Sequence, residues 1–205
     1  MENLLIILPV LATDLSLTDF TFWIGFAAML ASTMFFFSAM NMVADKWKTS
    51  MLVSALITGI AALHYYYMRN AAMEGDITTA YRYVDWILTV PLMCVEFYLI
   101  LKPSGATKSL LWKLIGLSTV MLVTGYLGEA GIGPLDAQLW GLVSGIAYFA
   151  IVAEIFFGGA SKLAASAGGN VAYAHKLLCR FVLIGWAIYP IAVSYTHLRA
   201  HETEA

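Results

Sequence analysis

Charge is scarce in this chain. Asp, Glu, Lys and Arg make up 12% of its 205 residues and hydrophobic side chains 61%, with a mean hydropathy of +0.80. Ordinary soluble domains carry about 25% charged residues, and a chain of this length folding in water could not hide so much apolar surface. The composition therefore excludes a soluble globular domain and points to a protein that crosses a bilayer several times. A net charge of −2 leaves no basic excess, so nucleic acid is not an expected partner. There are only two cysteines, Cys94 and Cys179, both inside apolar stretches, which argues against a disulfide framework. No His/Cys cluster has metal-ligand spacing, so no metal is expected. A phosphate-binding loop, a G-x-S-x-G elbow and a nucleotide fingerprint are all missing. Without a suggested nucleophile–base pair, an enzymatic role is not expected either.

What is present is a series of uncharged stretches near the roughly 20 residues that span a bilayer. They cover residues 20–43, 49–68, 83–101 (which contains acids), 110–128, 137–157 and 177–193. Short connections between them predict an all-α, antiparallel transmembrane helix bundle. Gly25, Gly116, Gly125, Gly141 and Gly145 offer sites for close helix packing. Trp23, Trp47, Trp112 and Trp140 lie near span ends, where indoles favour the membrane interface.

Orientation follows from the basic residues. Lys46 and Lys48, then Lys102, Lys108 and Lys113, then Lys162, Lys176 and Arg180 account for eight of the eleven Lys and Arg residues. The intervening loops carry Glu74, Asp76, Glu129 and Asp136 against Arg69. The positive-inside rule then puts the N-terminus outside and the lysine-bearing loops in the cytoplasm. Residues 4–12 are apolar like a signal-peptide core, but Met1-Glu2-Asn3 lacks the usual positive charge and no A-x-A-like site follows. Residues 1–19 are thus expected to be an extracellular leader or signal remnant, and residues 20–193 the bundle.

The third span holds the chemistry. From Asp85 to Glu96 is eleven residues, roughly 1,100° at about 100° per residue, which is three turns plus about 20°. Both carboxyls therefore share one face, about 16 Å apart along the axis, or about half the hydrocarbon core. Arg82 lies one turn outward of Asp85 and can pair with it; Thr89 lies one turn inward and can hydrogen-bond the carboxyl. Such a balance lets Asp85 stay ionised at rest and later accept a proton. Glu96 has no basic neighbour in its span and is flanked by Val95, Phe97 and Leu99, a setting that favours the protonated acid. Two acids on one face with an Arg and a Thr in register argue for a proton path rather than mere helix-knitting. Glu129 and Glu154, near helix ends, read mainly as interfacial residues.

The segment Arg82-Tyr83-Val84-Asp85-Trp86-Ile87-Leu88-Thr89-Val90-Pro91-Leu92 closely resembles the third helix of microbial (type 1) rhodopsins, and the carboxylate at Glu96 resembles the proteorhodopsin branch. Further matches are Lys46-Trp47-Lys48-Thr49-Ser50, Gly59-Ile60-Ala61 leading to His64-Tyr65, Gly125-Tyr126-Leu127-Gly128-Glu129-Ala130-Gly131 and Gly185-Trp186-Ala187-Ile188-Tyr189-Pro190. They extend in consistent order from about Asp14 to Ala192. The resemblance implies a rhodopsin-like bundle with six of the family's seven helices present, and retinal held as a protonated Schiff base. It also implies light-driven outward proton pumping, a homo-oligomer and a multi-pass location in a prokaryotic inner membrane. By the same resemblance Asp85 is counterion and primary proton acceptor, Glu96 the cytoplasmic proton donor, His64 the counterion's partner and Arg82 the residue on the release side. Trp86 and Trp186 would sandwich the polyene, with Thr89, Tyr189 and Pro190 lining the pocket. An apolar Met93 at the colour-tuning position implies green absorption.

One departure stands out. The family's retinal-binding lysine lies on a seventh helix, yet after Ile191-Ala192-Val193 this chain continues with the polar run from Ser194 to Ala205. None of its seven lysines (46, 48, 102, 108, 113, 162, 176) falls deep within an expected span. The expectation is therefore a fragment, inactive alone, whose tail over residues 194–205 is foreign to the fold; reading the encoding DNA past Val193 tests this. Two other classes fit the sequence: a photosensory rhodopsin that signals to a membrane transducer, and a retinal-independent membrane protein.

Overall fold

In the computed structural model, residues 17–75 and 78–187 are described. The leader over residues 1–16, the tail over 194–205, and Tyr189 and Pro190 lie outside them. The elements are α1 (Leu17–Ala39), α2 (Asp45–Glu74), α3 (Thr79–Leu101), a 3₁₀ turn (Lys102–Ser104), α4 (Lys108–Glu129), α5 (Ala137–Phe157), α6 (Gly159–Ala167) and α7 (Gly169–Arg180), which continues as a π-helical turn (Phe181–Gly185). No strand occurs among the described residues. Among the described residues, five stretches are long and apolar enough to cross a bilayer: Asp19–Ala39, Asp45–Glu74, Thr79–Ser104, Lys108–Glu129 and Ala137–Ala167. All but two of the expected spans begin and end within a few residues of a helix. The second extends to Glu74, where Gly75 at φ 80° closes it by donating its N–H to Ala71 and Ala72. The sixth begins at Gly169 rather than 177, because its first turns are polar; its last residues, 188–193, lie outside the described region.

Two compact units divide between Leu92 and Met93, within α3. In the first, α1 packs on α2. The hydroxyls of Thr33 and Thr58 meet at 2.9 Å, and the Tyr65 ring occupies the place where a Cβ on Gly25 would stand. Phe22 steadies that ring edge-on at 6.1 Å. Gly25→Ala should therefore destabilise the chain by about 1–3 kcal/mol through overpacking, measured by denaturant unfolding in lipid; a neutral result would show that Tyr65 swings away freely. Towards one end of the same pair, the Arg69 guanidinium makes an ion pair with Asp19 and stacks 4.9 Å over the Trp23 ring.

In the second unit a buried cluster joins Phe97 and Leu101 of α3, Leu114 of α4, Ile151 and Ile155 of α5, and Cys179 of α7. A Cβ on Gly128 would meet Trp140 Cβ at 2.9 Å and the Ala137 carbonyl at 3.3 Å, so Gly128 is the close-contact glycine between α4 and α5. Gly116, Gly141 and Gly145 do not have the expected packing role, since a Cβ there would meet nothing within 4 Å.

The break after α5 has a specific hydrogen-bond arrangement. Gly159 and Ala160 donate their N–H groups to Glu154 Oε1 at 2.8 and 3.3 Å, while Lys113 Nζ lies 2.9 Å from Glu154 Oε2. Glu154 is thus a cap and an inter-helix ion-pair partner, beyond the interfacial role expected of it. Because Gly159 bonds to a side chain, the Ile155 carbonyl lacks its usual helical donor; His175 Nε2 takes that place at 2.8 Å.

Candidate functional site around Asp85

Nothing in the third span except Pro91 opposes a helix, and α3 runs through that proline without interruption. Its one-sided spacing buries Asp85, Thr89 and Glu96 at 5%, 5% and 7% exposure. A buried carboxylate needs donors or a cation to offset its lost hydration. Asp85 Oδ1 has no hydrogen-bond partner among the described residues. His64 Nδ1 of α2 lies 3.6 Å from it, too far for a hydrogen bond. That nitrogen sits 2.9 Å from the Ile60 carbonyl. A carbonyl only accepts, so Nδ1 carries a hydrogen, directed at Ile60 but within electrostatic reach of Asp85.

The hydroxyl of Thr89 does not reach the carboxyl as the sequence suggested. It donates to the Asp85 main-chain carbonyl at 2.9 Å, since a helical threonine lies directly over the carbonyl one turn back. Arg82 Nη2 donates to Thr79 Oγ1 at 3.0 Å. Trp86 is half-buried and meets Tyr83 edge-on at 5.0 Å.

The remaining expected site residues belong to the second unit. Glu96 is buried beside the core residues Cys94 and Phe97, and Met93 is half-buried. Trp186 packs against the same core, directly after the π-helical turn. There Tyr148 of α5 donates its hydroxyl to the Leu183 carbonyl at 3.1 Å; π-turns commonly mark functional positions in helices. So the structure brings together His64, Asp85 and Thr89, and buries Glu96 farther along α3.

Two groups escaped the sequence reading. Asp19, placed in the leader, is only 2% exposed, and its partner Arg69, counted as a loop cation, belongs to α2. The available signal was an acid at the start of one span and an arginine near the end of the next, which antiparallel pairing brings to one level. His175 was the other; its i, i+4 relation to Cys179 on a polar helix start was the clue.

A multi-pass helical membrane protein with a buried, donor-poor carboxylate on its third span is the class these features define. The family model for bacteriorhodopsin-like proteins matches residues 16–199, and the chain belongs to that family. It is 44% identical to the green-light absorbing proteorhodopsin of Gamma-proteobacterium EBAC31A08 over 183 residues, covering 87% of this chain and 73% of the relative. Among solved structures, the blue light-absorbing proteorhodopsin from Med12 superposes with a TM-score of 0.73 at 42% identity, covering 87% of this chain and 80% of the other. Exiguobacterium sibiricum rhodopsin gives a TM-score of 0.77 at 36% identity with the same coverage.

Proposed function

We propose that this chain forms the proton-moving part of a light-driven, outward proton pump that uses retinal. Asp85 is the acceptor and counterion, Glu96 the donor, His64 the acceptor's partner and Arg82 the residue towards the outer exit. Trp86, Thr89, Met93, Trp186, Tyr189 and Pro190 would contribute to the retinal wall, with Met93 favouring green absorption. The N-terminus faces outward in this reading, and the protein forms homo-oligomers. The observation that carries it is Asp85 Oδ1: a buried carboxylate oxygen without a hydrogen-bond partner among the described residues, with His64 Nδ1 3.6 Å away, suits a cationic partner.

These residues fit the carboxylate side of a retinal site but not its covalent side. All seven lysines are exposed: Lys46 and Lys48 begin α2, Lys102 lies in the 3₁₀ turn, Lys108 and Lys113 occupy the first turns of α4, and Lys162 and Lys176 lie on α6 and α7. When bound, retinal would supply light absorption and a cationic centre beside Asp85 whose affinity for its proton changes on illumination. Asp85 takes up a proton at Oδ1, which neutralises a charge held in a dry setting. His64, close by but not hydrogen-bonded to Oδ1, biases that uptake through its electrostatic interaction with the carboxylate. Glu96, shielded from water, holds a proton until a base appears on its side of the helix.

The test supplies a lysine-bearing transmembrane helix, fused behind Val193 or co-expressed, to cells given all-trans-retinal. Illumination should acidify the medium, a protonophore should abolish the effect, and Glu96→Gln should slow turnover by about 100-fold. The unsupplemented 205-residue chain should form no stable pigment. A slow photocycle without proton export would instead support a photosensory protein.

A further inference from the structure

Polar contacts tie α5 to α7 at two levels among the described residues, each from a side chain on one helix to a backbone carbonyl on the other. At the first level His175 of α7 donates from Nε2 to the Ile155 carbonyl at 2.8 Å. At the second, the Tyr148 hydroxyl of α5 donates to the Leu183 carbonyl at 3.1 Å and lies 3.4 Å from the Val182 carbonyl. The helices pair in opposite directions, so on each of them the side chain comes first and the carbonyl later, and the two spacings compare directly. Tyr148 and Ile155 are seven residues apart, close to two α-helical turns. A regular α7 would then offer the hydroxyl the carbonyl seven residues after His175, which is Val182. The shorter contact is to Leu183, eight residues after His175. That extra residue is what a π-turn accommodates, and one spans Phe181–Gly185, around both carbonyls. Pro190 does not account for it. A proline disturbs the carbonyl four residues before it, which is Trp186 rather than Val182 or Leu183.

Trp186 stands directly after this turn. The four-residue hydrogen-bond pattern resumes there, its N–H donating to the Val182 carbonyl at 3.3 Å. Its side chain packs against the same buried cluster as Tyr148. Each α-helical residue turns the chain by about 100°, so relaxing the extra residue out of the turn would swing Trp186 by roughly that angle. A side chain inserted into the backbone ladder is a recognised cause of a local break in a helix, and the Tyr148 hydroxyl is so placed. We propose that this hydroxyl is a latch that holds the π-turn, which makes Tyr148 a positioning residue for Trp186. Its bearing on retinal rests on the pump reading, in which Trp186 belongs to the retinal wall; the latch itself does not.

The test uses the whole chain in phosphatidylcholine nanodiscs, with ¹³C-carbonyl leucine and 5-fluorotryptophan as magnetic-resonance probes. Tyr148→Phe removes the hydroxyl and keeps the ring. It should move the Leu183 carbonyl signal upfield, as loss of a hydrogen bond does, and displace the Trp186 ¹⁹F signal, which is identified by its loss in Trp186→Phe. Tyr148→Leu removes the ring as well and controls for packing. An unmoved Trp186 signal in Tyr148→Phe overturns the proposal whether or not Leu183 responds, and so does displacement in Tyr148→Leu alone. In the lysine-supplemented, retinal-loaded protein, Tyr148→Phe should shift the absorption band and lower light-driven proton export by about ten-fold or more. A contact that merely joined two helices would leave the band in place, and an unshifted band beside displaced signals would overturn the role towards retinal. Should the parent form no pigment, the pump reading fails, and the two signals of the unsupplemented chain still decide the latch.

Discussion

Asp85→Asn is expected to reduce light-driven proton export by at least about 100-fold in the lysine-supplemented protein while leaving the fold intact. Asparagine keeps the shape of the side chain but removes the charge that would face a cation and the basic oxygen that would receive a proton. Folding should tolerate the change, because Oδ1 contributes no hydrogen bond to the described structure and an amide is cheaper to bury than a carboxylate. His64→Gln should have a smaller effect, about ten-fold, because His64 acts on Asp85 across 3.6 Å rather than on the transferred proton. Combined with Asp85→Asn it should add almost nothing, since both substitutions act through one group. Initial acidification rates for the four proteins of this cycle provide the check. Full additivity would mean that His64 works independently of Asp85.

The second large effect concerns stability. Asp19→Ala should destabilise the chain by about 3–5 kcal/mol, the usual penalty for stripping one partner from a buried ion pair. Asp19 is 2% exposed and Arg69 side-chain exposure is 24%, so the guanidinium left behind is only partly hydrated and keeps its stacking on Trp23 and an Nη1 hydrogen bond to Asn70 Oδ1. Replacing both, as Asp19→Asn with Arg69→Leu, should recover much of the loss, because a well-packed apolar substitute for a buried pair is often neutral. Reversible unfolding in mixed micelles measures both variants against the parent chain. A loss below about 1 kcal/mol for Asp19→Ala would place the pair in the class of solvated surface bridges.

Residue type makes some of this architecture legible in the sequence. Spans were visible as gaps between charges, and the fifth, residues 137–157, coincides with α5 because Asp136 caps its start and Gly158 breaks its end. The sixth starts earlier than its hydropathy indicates: Asn170, His175 and Lys176 make the first turns of α7 polar, although helical geometry tolerates them. The short α6 was not anticipated. It begins where Glu154 folds back onto Gly159 and Ala160, a contact that depends on side-chain reach rather than local propensity. Within the site, the buried positions of Asp85 and Glu96 followed from their spacing. The hydrogen bond of Thr89 did not, because the hydroxyl had two acceptors within one turn and only backbone geometry selects between them. Asp19 is hidden by its nearness to the apolar leader, and its ion-pair partner Arg69 lies fifty residues away.

Light-minus-dark infrared difference spectroscopy of the lysine-supplemented, retinal-loaded protein, with ¹³C-labelled aspartate, addresses Asp85 directly. Illumination should produce a protonated-carboxyl C=O band that shifts with the label, disappears in Asp85→Asn, and rises together with loss of the corresponding carboxylate band. If protons leave the cell while Asp85 remains ionised throughout the photocycle, Asp85 is not the acceptor and the proposed proton path is wrong.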